Sequence, residues 1–275
     1  MTKILKDSAG VVVEKGGKYF RLSHSLSDLL AMSLEEAKSI VESANKEIPE
    51  STHWLAPVDS GQEVWACGVT YLRSKVGRME ESDIPDLYSR VYDAERPEIF
   101  YKTAGWRVIA NGEKVGIRKD SGWDVPEGEV VLVGNAHEEI FGYAVGNDVS
   151  SRSIEGENTL YLPQAKAYEK ACSLGSWIVP AWDVKEAVFP IAVKVERAGT
   201  VEFQGESSSS QLKRTFADLM HWMYKTLPMP HGVFLFTGTG VVPDASFTLH
   251  EGDVVTISAG PLGTLVNTIE YVAKG

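Results

Sequence analysis

The chain has 275 residues, 43% of them hydrophobic and 24% charged, which is enough to bury a sizeable core in one large domain or in a large and a small one. Its 27 basic and 38 acidic side chains leave a net charge of −11, which argues against a nucleic-acid backbone or an anionic membrane as partner. A small anionic substrate stays compatible with that charge, because a metal ion or one lysine reverses the field locally.

In chain order, the first elements read as a small N-terminal α/β domain over residues 1–60. The β-rich residues 11–13 and 19–22 flank Gly16-Gly17, the spacing of a hairpin. Ser33-Leu34-Glu35-Glu36 is a capping box, and it opens a helix with Leu34, Ala37, Ile40 and Val41 on one face. Residues 46–61 are polar and turn-rich, so the boundary to a second domain, residues 61–275, is placed there. Beyond it, short apolar runs at 64–67, 107–109, 130–133, 191–193 and 254–257 are punctuated by glycine and proline. They predict a mainly β sheet or barrel-like domain. One helix is predicted through Leu212, Phe216, Leu219, Met220 and Met223, capped from the serine cluster 207–210. The charged segment 74–96 reads either as a solvated loop or surface helix, or as a lid over a site.

Cys67 and Cys172 are the only cysteines, and no zinc-type C-x-x-C pairing occurs. The N-terminal residues show no signal-peptide pattern, and no apolar run has membrane-spanning length. A reducing cytoplasm is therefore the expected setting.

The strongest chemical signal is Glu127-Gly128-Glu129, running into the apolar residues 130–133. Two positions apart on an extended chain, both carboxylates project from one face, an unfavourable pairing unless a cation sits between them. Asp148 follows in Gly146-Asn147-Asp148-Val149-Ser150, where a hairpin-sized excursion could return it beside the pair. Three carboxylates without a neighbouring histidine or cysteine suit Mg²⁺, with Mn²⁺ or Ca²⁺ as substitutes. A solvated E-x-E on a surface strand is the competing reading.

Gly68-Val69-Thr70-Tyr71, the E-x-E pair, Gly142-Tyr143 through Asp148 to Arg152, Lys166, and Thr237-Gly238-Thr239-Gly240 occur in a recognisable order. Over most of residues 62–270 this order resembles the fumarylacetoacetate hydrolase superfamily. The resemblance implies a β-rich catalytic fold, Mg²⁺ held by Glu127, Glu129 and Asp148, and a homo-oligomer, dimer or tetramer. Members that hydrolyse carbon–carbon bonds carry a histidine three residues after the tyrosine; here Ser74 stands there, preceded by Arg73. Hydrolysis would need another base. The segments 68–73, 96–100 and 155–166 are similar to a branch of the family that acts on 2-keto-3-deoxy sugar acids. That branch implies Glu98 and Lys166 at the substrate, with Arg73 and Thr239 helping to hold it.

The chemistry explains the need for these groups. Polarising the ketone of such an acid acidifies carbon 3; a base must then take a proton and an acid must protonate the departing hydroxyl. Lys166, its pKa lowered by burial near a cation, is the candidate base and Glu98 the candidate acid. The expected reaction is dehydration of 2-keto-3-deoxy-D-arabinonate, the same compound as 2-keto-3-deoxy-D-xylonate, to 2,5-dioxopentanoate. An acylpyruvate-type hydrolase, a keto-acid decarboxylase and a non-catalytic keto-acid binding protein remain as alternatives. Lys166 as a solvated surface charge, Glu98 as a surface partner of Arg96 or Lys102, Arg152 as a salt-bridge partner of the site carboxylates, and 237–240 as a plain tight turn also remain open.

Overall fold

The computed structural model describes residues 1–81 and 85–272. The chain opens with an antiparallel meander, β1 (Lys3–Asp7), β2 (Gly10–Lys15) and β3 (Lys18–Arg21). Lys15 pairs with Lys18 across Gly16 and Gly17, whose φ values of 60° and 80° supply the left-handed pair that a two-residue hairpin turn requires. Helices α1 (Leu26–Ala31) and α2 (Leu34–Ser43) each begin with a reciprocal capping box, Ser25 with Asp28 and Ser33 with Glu36. Their buried Leu26, Leu29, Leu30, Ala37 and Val41 face the main sheet, and β4 (Glu47–Ile48) adds to the outer edge of β3.

The chain continues through β5 (Glu63–Gly68), α3 (Leu72–Glu81), α4 (Pro85–Asp93) and β6 (Glu98–Ala104). Next come β7 (Lys114–Arg118), β8 (Asp124–Val125), β9 (Gly128–Gly134), β10 (Ile140–Asp148) and β11 (Ser150–Ser151). Helices α5 (Arg152–Glu157) and α6 (Leu162–Lys166) lead to β12 (Cys172–Leu174), β13 (Trp177–Pro180), β14 (Pro190–Arg197) and β15 (Thr200–Ser208). Helix α7 (Phe216–Tyr224), β16 (Val233–Phe236), β17 (Val254–Ser258) and β18 (Thr264–Val272) complete the chain.

Two large sheets result. One runs β4-β3-β2-β1-β13-β10-β9-β16-β5-β6 with β12 also on β10; the other runs β15-β14-β17-β18-β7. This mainly β architecture with peripheral helices agrees with the sequence expectation. Strands β9, β10 and β16 are covered on both faces, and their alternate residues feed two cores. Val130, Leu132, Val145 and Leu235 point into a core shared with the second sheet and α7, whereas Val131, Val133, Ala144 and Phe234 point toward α1 and α2. Strand β1 pairs with β13, Ile4 opposite Ile178, so the N-terminal meander and the larger segment share one sheet. The division near residue 60 is kept as a proposal about folding units.

Two sequence expectations shift. Residues 107–109 do not make a strand: Gly105–Arg107 form a 3-10 turn, and Ile109 makes one parallel bridge to Ser173. The last helix starts later than expected, because Thr215 rather than the serine cluster accepts from the amide of its third residue, Asp218. Ser208 and Ser210 spend their hydroxyls on the local turn, and Leu212 is extended, bridging to Tyr71. Within the charged segment 74–96, Ser82, Asp83 and Ile84 and the side chains of Arg78, Glu80, Glu81, Pro85 and Asp86 lie outside the described residues. The backbone of 74–81 and 85–93 forms α3 and α4, and the segment is tied to the body by Lys213 on Asp93 (3.0 Å) and by Arg214 on the Ala94 carbonyl. No helix among the described residues is long and apolar enough to cross a membrane.

Candidate active site

Strands β9 and β10 pair antiparallel with Glu129 opposite Gly146 and Gly128 opposite Asn147. The Asp148 amide donates to the Glu127 carbonyl at 3.0 Å, and the Glu127 amide donates to Asn147 Oδ1 at 3.1 Å. The hairpin thus returns Asp148 beside the E-x-E pair, and one oxygen from each of Glu127, Glu129 and Asp148 lies within 4.8 Å of the others. The glycine between the glutamates is required by packing: a Cβ on Gly128 would come within 2.6 Å of Val193 Cγ2 and 2.9 Å of Ile257 Cγ2. The second sheet therefore presses directly on the ligating strand.

All three carboxylates are buried, Glu129 with no exposure at all, so the solvated-strand reading fails. Lys166, 2% exposed, is likewise no surface charge. Its ammonium donates to Glu127 Oε2 at 2.6 Å, Asp148 Oδ2 at 3.0 Å and Ser150 Oγ at 2.5 Å. Arg152 holds the other Glu127 oxygen at 2.8 Å, in the salt-bridge role expected of it. Glu155 lies 3.7 Å from Arg152 and 3.9 Å from Lys166. Lys102 is fully buried and reaches Asp148 Oδ1 at 2.5 Å, an ion-pair contact without hydrogen-bond alignment.

Buried Glu127, Glu129, Asp148 and Glu155 stand against buried Lys102, Arg152 and Lys166, which leaves one net negative charge, or two with the partly buried Glu98 ionised. A divalent cation matches that remainder. Burial, followed by the fields of Asp148 and Glu127, pushes the Glu129 carboxyl well above its ordinary range. Glu129 Oε2 accepts from the Gly238 amide at 2.6 Å, while Oε1 is buried with no hydrogen-bond partner. An orphaned buried carboxylate oxygen beside two more carboxylates, with oxygen donors only, fits a hard ion such as Mg²⁺.

The adjoining cavity is lined by Gly68, Ser74, Glu98, Glu127, Lys166 and Thr239, among others. Glu98 reaches it from β6 across β5: a Cβ on Gly68 would fall 1.9 Å from Glu98 Oε2, so only glycine leaves it room. Ser74 is spent on the backbone, donating to the Tyr71 carbonyl at 2.8 Å and accepting from the Tyr71 amide at 3.2 Å. Val69 adopts φ 53°, a region that β-branched residues avoid, next to Thr70, whose hydroxyl donates to the Thr237 carbonyl at 2.6 Å. Thr239 lines the cavity, but its hydroxyl lies at bonding distance from backbone oxygens, Gly128 O at 3.1 Å and Val241 O at 3.2 Å. Residues 237–240 are more than a plain turn. Gly238, at φ 90°, aims its amide at Glu129, where a Cβ would meet Thr70 Oγ1 at 2.0 Å. Arg73 is exposed on the first turn of α3 and is not part of the cavity wall. Of the residues named from sequence, the structure gathers six and leaves Arg73 outside.

Lys102, Glu155 and Ser150 were not singled out by sequence. Lys102 is the instructive case: pairing steps from Thr103–Val64 to Tyr101–Trp65, so Lys102 is the extra residue of a β-bulge. Strict alternation cannot say which way such a residue points.

Beneath this region lies Asp124 on β8, paired with Ser151 one position before Arg152. Its Oδ1 is buried without a partner, and burial raises its pKa from 3.8 to about 6. The folded state therefore holds this proton more tightly than the unfolded chain does. The associated stability is complete below pH 3.8 and is lost as pH rises through about 6. Asp124→Asn keeps the shape and removes the cost of ionisation, so Tm is expected to rise by about 2–4 °C at pH 8, the shift for roughly 1 kcal/mol in a chain of this size. Calorimetric scans should show that gain shrinking toward pH 4.5; an equal gain at both pH values would contradict the assignment.

Comparison with known proteins is consistent with this geometry. Residues 89–270 match the family model described as fumarylacetoacetate (FAA) hydrolase C-terminal. The chain is 43% identical over 246 residues to the probable 2-keto-3-deoxyxylonate dehydratase of Haloferax volcanii, covering 89% of this chain and 83% of that one. It is 36% identical over 223 residues to the 2-dehydro-3-deoxy-D-arabinonate dehydratase of Saccharolobus solfataricus, covering 79% and 74%. A solved 2-keto-3-deoxy-D-arabinonate dehydratase, complexed with magnesium and 2,5-dioxopentanoate, superposes with a TM-score of 0.85 at 27% identity and 99% coverage of both chains.

Proposed function

Because this chain belongs to the fumarylacetoacetate hydrolase family, we propose that it is a magnesium-dependent hydro-lyase converting 2-keto-3-deoxy-D-arabinonate, identical to 2-keto-3-deoxy-D-xylonate, into 2,5-dioxopentanoate and water. The observation that carries this reading is the buried carboxylate trio, two members of which, Glu127 and Asp148, bond to Lys166, opening on a cavity that also receives Glu98. Relatives named as dehydratases of these acids support the choice of substrate.

Glu127, Glu129 and Asp148 would hold the Mg²⁺, which when bound would supply Lewis-acid polarisation of the keto group. Mn²⁺ or Ca²⁺ could substitute at an all-oxygen site. Lys166, as the neutral amine, takes a proton from carbon 3 of the substrate. The electron pair forms the carbon 3–carbon 4 double bond as the carbon 4 hydroxyl leaves, and Glu98 donates the proton that makes it water. A proton then leaves carbon 5 and one is added at carbon 3; tautomerisation of the resulting enol leaves the aldehyde. Arg152 and Glu155 keep Glu127 and Lys166 in place. Thr239 shapes the wall against the substrate, and the exposed Arg73 attracts the anion at the rim. A cytoplasmic homo-oligomer, dimer or tetramer, belongs to the same proposal.

The engaged hydroxyl of Ser74 offers no base for activating water, which weighs against carbon–carbon hydrolysis. Incubating the purified protein with the keto acid and Mg²⁺ is expected to yield the semialdehyde, to stop on EDTA addition and to resume on Mg²⁺ excess. Pyruvate or CO₂ as product would overturn the dehydratase reading in favour of a hydrolase or decarboxylase. Tight binding without any product would favour a keto-acid binding protein.

A further inference from the structure

We infer that Lys102 is a positioning residue that ties the segment carrying Lys166 to the metal ligand Asp148. The inference rests on the metal-centre reading above. Lys102 is fully buried, and its ammonium makes three contacts that converge on the site. It lies 2.5 Å from Asp148 Oδ1, donates to the carbonyl of the next residue, Val149, at 3.0 Å, and donates to the carbonyl of Lys166 itself at 2.5 Å.

Each contact has a consequence for geometry. Lys166 Nζ engages Asp148 Oδ2, so the two lysines bracket one carboxylate, an oxygen apiece. That arrangement fixes the carboxylate plane. Lys166 is the last residue of α6, and its carbonyl has no intrahelical acceptor role left to fill. The Lys102 ammonium satisfies that carbonyl at the negative end of the helix, which also fixes where the Lys166 side chain starts. The β-bulge in β6 is what turns Lys102 inward between Tyr101, which pairs with Trp65, and Thr103, which pairs with Val64. Straightening that bulge would redirect the lysine.

Charge balance and positioning predict opposite signs. If Lys102 merely neutralised the acidic cluster, deleting its charge would leave the site more negative and tighten cation binding. As the residue that orients Asp148, its loss instead weakens cation binding, and groups orienting a ligand typically contribute about 10–100-fold to metal affinity or activity. A purely structural residue would change Tm alone.

Lys102→Met, similar in length but apolar, and Lys102→Gln, which retains one donor, separate these cases. Mg²⁺ affinity of the metal-stripped proteins is read by titration calorimetry, folding by circular dichroism, and kcat and KM at saturating Mg²⁺. The expected result is a folded protein whose Mg²⁺ Kd is raised about 10–100-fold in Lys102→Met and less in Lys102→Gln. In both, kcat should fall while KM for the keto acid stays close to that of the unmodified protein. Tighter or unchanged Mg²⁺ binding in a folded variant overturns the assignment, and so does failure of both variants to fold, which would make Lys102 a folding residue. Unmodified protein that takes up no Mg²⁺ would instead sink the metal-centre reading, so the two failures are distinguishable.

Discussion

Glu129→Gln is expected to lower kcat/KM by at least about 10³-fold, the several kcal/mol that a catalytic metal contributes, while the protein stays folded. Glutamine keeps the volume and can still accept the Gly238 amide that Glu129 Oε2 now accepts at 2.6 Å. What it removes is a carboxylate charge placed where burial and two neighbouring acids already oppose ionisation. Without that charge the cluster no longer carries its negative excess, and one of three hard ligands becomes a weaker neutral one. Because burying that charge is costly, the metal-free variant should melt no lower than the metal-free parent. Added Mg²⁺ should raise Tm only in the parent, since only a state that binds ligand is stabilised by it. Full turnover by Glu129→Gln, or turnover that survives EDTA, would remove the cation from the mechanism.

Lys166→Met should lower kcat by about 10²–10⁴-fold, the usual contribution of one positioned acid or base. Steady-state rate alone is ambiguous here, because the same change strips three hydrogen bonds from Glu127, Asp148 and Ser150. The sharper reading is exchange of carbon 3 protons in D₂O on a 2-keto acid that lacks a carbon 4 leaving group. That exchange needs the base and does not need Glu98. Loss of exchange in Lys166→Met together with retained exchange in Glu98→Gln assigns the two roles as proposed. Exchange at the parental rate in Lys166→Met would show that another group takes the proton.

The carboxylate trio was legible because its logic is local. Period-two spacing puts Glu127 and Glu129 on one face, and the stretch from Glu129 through the apolar run 141–145 to Asp148 is long enough to fold back as a hairpin. Lys166 was legible only through resemblance to a family, since a lone lysine carries no periodic signal. Lys102 was not legible at all, because a bulge breaks the alternation that would have revealed its direction. Thr239 shows a different limit: the motif names the residue, but its hydroxyl serves the backbone while the neighbouring Gly238 amide holds the glutamate. The late start of α7 has the same kind of cause, since four serines and one threonine compete as caps and turn geometry decides among them. Arg73 sits one position from the motif tyrosine's first helical neighbour, and only the helix direction shows that it faces outward.

The pairing of β1 with β13 bears on how this protein can be dissected. The family match begins at residue 89, yet β5 lies earlier in the chain and is wedged between β16 and β6. A fragment trimmed to the matched residues would leave β16 with an unsatisfied backbone on one flank and discard the strand that ends at Gly68. It would also uncover β13 on the opposite flank, presenting rows of unpaired amides to any passing chain. A fragment without such sticky margins must therefore carry β1 and β5 along with the matched residues, so trimming to the family match alone exposes both flanks.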